Sequence, residues 1–96
     1  MGCGNSRNIC EDLKVMLDRM RGMIDYKERM LKEKDDKEVR KINDELLLLS
    51  KEIKEELSVI NKKIEKQEDI ENFQYMNATF QFYLNKDQTL NSMKYN

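Results

Sequence analysis

From Glu11 to Leu84 the sequence contains no proline and a single glycine, Gly22. A backbone without proline keeps every helical N–H donor, and one interior glycine costs only about 1 kcal/mol relative to alanine. The stretch therefore permits continuous helix. Charged residues make up 39% of the 96-residue chain, a composition typical of long helices and coiled coils and unlike that of a sandwich or an α/β enzyme. The predicted fold class is all-α: a long amphipathic helix or coiled coil over residues 11–84. A chain this short buries a modest share of its surface, so its stability depends on elongated packing or on partners.

The apolar pattern supports this reading. Residues spaced by eleven are Ile9, Met20, Leu31, Ile42, Ile53, Ile64 and Tyr75, and an eleven-residue repeat, about 3.67 residues per turn, gives a straight or weakly right-handed bundle. Two heptad-like stretches lie inside it: Ile9, Leu13, Met16, Met20 and Met23, then Val39, Ile42, Leu46, Leu49 and Ile53. Between them residues 32–38 carry no apolar side chain. The pairs Asp25 with Arg29, Glu28 with Lys32, Glu33 with Lys37 and Asp36 with Arg40 bridge this pause in the favourable i, i+4 order. With no Gly, Pro or Asn there, the preferred expectation is an unbroken helix about 110 Å long at 1.5 Å per residue. An antiparallel hairpin, with residues 11–31 folded on 40–60, is the alternative. The run Leu46–Leu49 widens the apolar face beyond a two-helix seam and calls for a larger bundle, a second protein or the hairpin. A parallel homo-oligomer would gather the amino termini on one side.

Toward the carboxy terminus, Ile70, Phe73, Met76, Phe80 and Leu84 continue along one helix face, and Tyr75, Phe82 and Tyr83 add aromatic surface. Clustered aromatics supply contact area at low entropic cost, which makes Phe73, Met76, Phe80, Phe82 and Tyr83 the candidate partner-binding residues; the same side chains would also close the protein's own bundle. Residues 85–96 are polar and aperiodic and read as a frayed tail. A SNARE-type fusion helix would need Gln67 as a polar central layer, but Glu71 and Gln74 then spoil the layers that follow.

The first residues are Met1-Gly2-Cys3-Gly4-Asn5-Ser6-Arg7. With Met1 removed, Gly2 offers an unhindered α-amine for N-myristoylation, and Ser6 supplies the small hydroxyl residue that the modification favours. Cys3 lies beside it, placed for S-palmitoylation. A single myristoyl chain binds membranes only marginally, with a constant of about 10⁴ M⁻¹, and a second chain makes attachment stable. These residues resemble the membrane-targeting ends of Src-family kinases and of G-protein α subunits. The resemblance covers about seven residues; it implies dual acylation at Gly2 and Cys3 and carries no kinase or nucleotide chemistry. Cys10 is a further candidate palmitoylation site, although the preferred reading is a small apolar residue opening a helix.

Other function classes are disfavoured. Eighteen basic and 19 acidic side chains nearly cancel, which leaves no field to collect nucleic acid. With two cysteines and no histidine, neither a metal site nor a catalytic constellation is expected, and no cofactor is implied. No apolar run approaches a membrane span. The sequence thus points to a non-enzymatic, lipid-anchored coiled-coil tether or adaptor holding a protein partner at the cytosolic face of a membrane. The alternative is a soluble structural coiled coil or assembly subunit.

Overall fold

The computed structural model describes residues 11–94, with side chains as far as Ser92. Gly2, Cys3 and Cys10 therefore lie outside the described residues. Within them the chain forms three α-helices: α1 (Glu11–Lys32), α2 (Asp36–Lys63) and α3 (Gln67–Lys94). The all-α class is what the structure shows. The helices run up, down and up, so that α2 is antiparallel to α1 and α3 is parallel to it. Tyr26 thus meets Glu38 near the first turn, while Lys27 meets Asp87 from the far end of α3. The molecule measures 50 × 24 × 17 Å. It is not the single long helix preferred from sequence.

The first break falls in the charged pause. Lys34 adopts φ 59°, and around it the Asp35 N–H donates to the Met30 carbonyl at 2.9 Å and the Lys34 N–H to the Leu31 carbonyl at 3.2 Å. This is the Schellman closure, with lysine where glycine is usual. Asp35 then caps α2, its carboxylate accepting from the Glu38 N–H at 3.2 Å, so Asp35-Asp36-Lys37-Glu38 has the residue order of a capping box. Charges at the helix ends suit the macrodipoles: Glu11 and Asp12 open α1 and Arg29 and Lys32 close it, with Asp36, Glu38, Lys62 and Lys63 doing the same in α2. Asp25, expected to pair with Arg29, instead reaches Lys86 at 3.5 Å. The second turn follows Ile64, whose extended backbone ends α2 and whose N–H donates to the Ile60 carbonyl.

The core lies along α1. Leu13, Leu17, Met20 and Ile24 are buried against Ile42, Leu46, Leu49, Ile53, Leu57 and Ile60 of α2 and Met76, Phe80 and Leu90 of α3. The α2 stripe matches the sequence pattern, Val39, Ile42, Leu46, Leu49 and Ile53 all being buried. On α1 the inward face is rotated from the expected one: Leu17 and Ile24 are buried while Met16 and Met23 are only partly so. Tyr75, last of the eleven-residue series, is 73% exposed. The frayed tail is corrected too, since α3 continues to Lys94 and Leu90 belongs to the core.

Tyr26 ties α1 to the start of α2, its hydroxyl donating to Glu38 Oε2 at 3.3 Å. Partial withdrawal from water, followed by the negative charge of Glu38 and this hydrogen bond, holds the phenol above its usual 10.0. A group held protonated by folding stabilises the fold below its unfolded pKa and loses that contribution as pH rises through the folded value. Spectrophotometric titration of the wild type against Tyr26→Phe should show this phenol ionising later in the folded than in the urea-unfolded protein.

Two further substitutions follow from the backbone. Lys34→Gly removes the penalty of a left-handed lysine and should stabilise by about 1 kcal/mol. Gly22 is exposed in mid-helix with nothing within 4 Å of an added Cβ, so Gly22→Ala should gain about 1 kcal/mol. Each should raise the melting temperature by about 4–8 °C, measured by circular dichroism.

Candidate functional site

The five aromatic-region residues do not form one exposed surface. Phe80 is 1% exposed and Met76 9%, both inside the core. Phe73 and Tyr83 pack partly buried against it. Only Phe82, 64% exposed, faces solvent freely, its ring tilted against that of Tyr83 with centroids 6.0 Å apart. Of the five, Met76 and Phe80 are used by the bundle's own core, Phe73 and Tyr83 pack against it, and Phe82 is left exposed. Gln67 is exposed at the start of α3, where it forms no interior layer.

Surfaces outside these five residues are more accessible. Leu47 and Leu48 are 61% and 62% exposed. They follow Leu46 by about 100° and 200° around the helix, so they flank the buried seam on opposite sides. Leu48 borders a hollow with Met23 and Arg19 of α1, and Leu47 borders one between α2 and α3 together with Leu84 and Gln88. The four-leucine run carried this signal, since one helix cannot turn four consecutive side chains inward.

A longer groove separates α1 from α3. Its first part, about 340 Å³, begins at Glu11 and Asn72 and has Leu17 and Met76 in its floor, Tyr75 and Tyr83 on its wall and Lys14, Asp18 and Arg21 along its lip. A second hollow of about 270 Å³ shares Arg21 and Tyr83 and continues past Ile24 and Phe82 to Asp25 and Lys86. Groove and lip arise because α3 packs along α1 in parallel, with small Thr79 and long Tyr75 facing it.

The most constrained polar group is interior. Lys27 occupies the next place in the α1 stripe after Leu13, Leu17, Met20 and Ile24, and it is 0% exposed. Its ammonium donates to Asp87 Oδ1 at 2.6 Å and to Asn91 Oδ1 at 2.7 Å. Asp87 retains 23% exposure at its side chain. Sequence reading passes over Lys27 because a lysine on a charged helix looks solvated; the signal is its place in a four-three alternation of apolar residues. The cluster ties α1 to α3, and Asp87 and Asn91 also border the hollow beside Leu47.

Among the described residues no group of three or more His, Cys, Asp or Glu side chains could hold a metal ion, and no helix is long and apolar enough to cross a membrane. No protein-family model, curated protein or solved structure matches the chain.

Breaking the interior pair should be costly and rebuilding it apolar should not. Asp87→Leu alone leaves a buried ammonium short of its counter-charge and should lose about 3–5 kcal/mol. Adding Lys27→Met to that variant should recover most of the loss, and urea unfolding of both single variants and the double variant measures the coupling.

Proposed function

We propose that this chain is a non-enzymatic tether or adaptor, anchored by acyl chains on Gly2 and Cys3 to the cytosolic face of a membrane and presenting a small helical bundle to a protein partner. The observation that carries the reading is Met1-Gly2-Cys3-Gly4-Asn5-Ser6-Arg7, in which each position demanded by myristoylation is filled and the thiol that takes a second lipid is adjacent. No helix among the described residues can serve as a span, so attachment is assigned to covalent lipid. Cys10 stands one residue before α1, where a third acyl group would bring the bundle against the membrane.

The partner is assigned to the exposed apolar side chains rather than to the buried aromatics. Phe82 and Tyr75 on α3 and Leu47 and Leu48 on α2 leave large apolar area in water, and such area favours a protein contact. Compatible membranes are the plasma membrane, the Golgi or a specialised internal membrane. Leu47 and Leu48 also favour a second reading, a soluble assembly subunit that oligomerises through α2 without lipid.

Alkyne-myristate labelling with membrane fractionation in eukaryotic cells decides between the two. Carboxy-terminally tagged wild type should label and pellet, Gly2→Ala should do neither, and Cys3→Ser should label but wash off. A wild type that takes no label and stays in the supernatant would end the anchor reading and leave the assembly subunit.

A further inference from the structure

We infer that the groove between α1 and α3 is the resting site of the protein's own Gly2 myristoyl chain when no membrane is engaged. The inference rests on the acylation reading and extends it to regulation. Chain length comes first. Residues 2–10 reach at most about 30 Å when extended, and they join the bundle at Glu11, which itself borders the groove mouth. From Glu11 to Asp25 the groove follows α1 for about 21 Å at 1.5 Å per residue. The tether therefore spans every point of it.

The lining suits an acyl chain laid lengthwise. Leu17, Ile24 and Met76 are 4%, 1% and 9% exposed and form an apolar floor. Tyr75 and Phe82, 73% and 64% exposed, stand along the wall and are the two most exposed large apolar side chains of the bundle. An acyl chain on the floor would cover the inner sides of both. The lip charges Lys14, Asp18 and Arg21 are exposed, and none needs to be desolvated. Of the other hollows described above, that between α2 and α3 is bordered by Asn43, Asp44, Ser50 and Lys54 and not by α1, and that between α1 and α2 sets Arg19, Glu45 and Glu52 around Met23, Leu48 and Leu49.

Competition with the bilayer then sets the behaviour. A lone myristoyl chain binds membrane with a constant of only about 10⁴ M⁻¹, so an open groove with an apolar floor at the end of a short tether competes with it through high effective concentration. A palmitoyl group on Cys3 shifts the balance to the membrane. The singly acylated protein rests with its lipid in the groove, and the doubly acylated protein leaves the groove vacant for a partner.

The position of Cys10 allows a direct test on the full chain. A synthetic myristoyl-Gly2 to Ile9 thioester, ligated to isotope-labelled Cys10–Asn96, yields the acylated protein whether or not any cell makes it. Isotope-filtered NMR should show contacts from the unlabelled acyl protons to the methyl groups of Leu17, Ile24 and Met76 and none to Leu47. Thr79→Trp fills the groove from its wall; it should abolish these contacts and raise binding to phosphatidylcholine vesicles several-fold, with circular dichroism confirming that the bundle remains folded. If wild type shows no acyl contact at the three methyls, or shows them at Leu47 instead, the groove is not the site. The groove is equally excluded as the acyl site if the unacylated chain shifts these methyls with concentration, since a second copy would then occupy it. Acylation here is chemical, so these results are independent of alkyne labelling in cells, whose failure would end the anchor reading instead.

Discussion

The arrangement of α3 depends on a lysine that has no contact with water. Lys27 stands where the α1 stripe calls for an apolar residue, and Asp87 and Asn91 stand in the corresponding stripe of α3. Removing an ammonium from water is expensive unless its charge and its donors are met. Only one longitudinal register of these parallel helices brings the carboxylate and the amide to it. Sliding α3 by a turn would separate them by about 5.4 Å. An apolar seam tolerates such slips far better, because dispersion and burial have little directionality. The polar layer thus gives α3 a defined seat, which its own pattern of apolar residues specifies poorly.

That poverty explains which parts of the fold are legible in the sequence. The α2 stripe can be read directly, because its seven buried residues, Val39 to Ile60, follow steps of three and four with charge elsewhere. The α1 face is easily displaced by one position, because methionines and leucines crowd adjacent places and only the choice of neighbours separates Met16 from Leu17. The first turn escapes a local reading for a physical reason. Glycine is the usual residue at such a break, yet a lysine accepts the left-handed conformation when two backbone hydrogen bonds and an aspartate cap close around it. The capping sequence Asp35 to Glu38 is visible, but the same residues also fit helix-stabilising ion pairs. The end of α3 reads locally as a tail because Asp87 and Asn91 look polar; their partner lies some sixty residues away in sequence and cannot be inferred from local pattern.

The site is less legible than the fold. The proposed acylation motif is local chemistry, argued from consecutive residues alone. A docking face is a property of what remains uncovered after packing, and packing consumes Met76 and Phe80 while leaving Phe82, Tyr75, Leu47 and Leu48 outside. The change also alters what the bundle requires. A lone helix would need company to hide its stripe, whereas three helices hide it within one chain, so any partner is free to come and go without unfolding the protein.

An odd number of antiparallel passes has a geometric result. A hairpin returns the chain to its starting pole, but up, down and up leaves Glu11 and Lys94 at opposite poles of a body 50 Å long. If the first pole is held against a bilayer, whatever is fused or bound beyond Lys94 stands a bundle's length out into solution. The third helix would then act as a ruler, its 28 residues setting a stand-off of about 42 Å at 1.5 Å per residue.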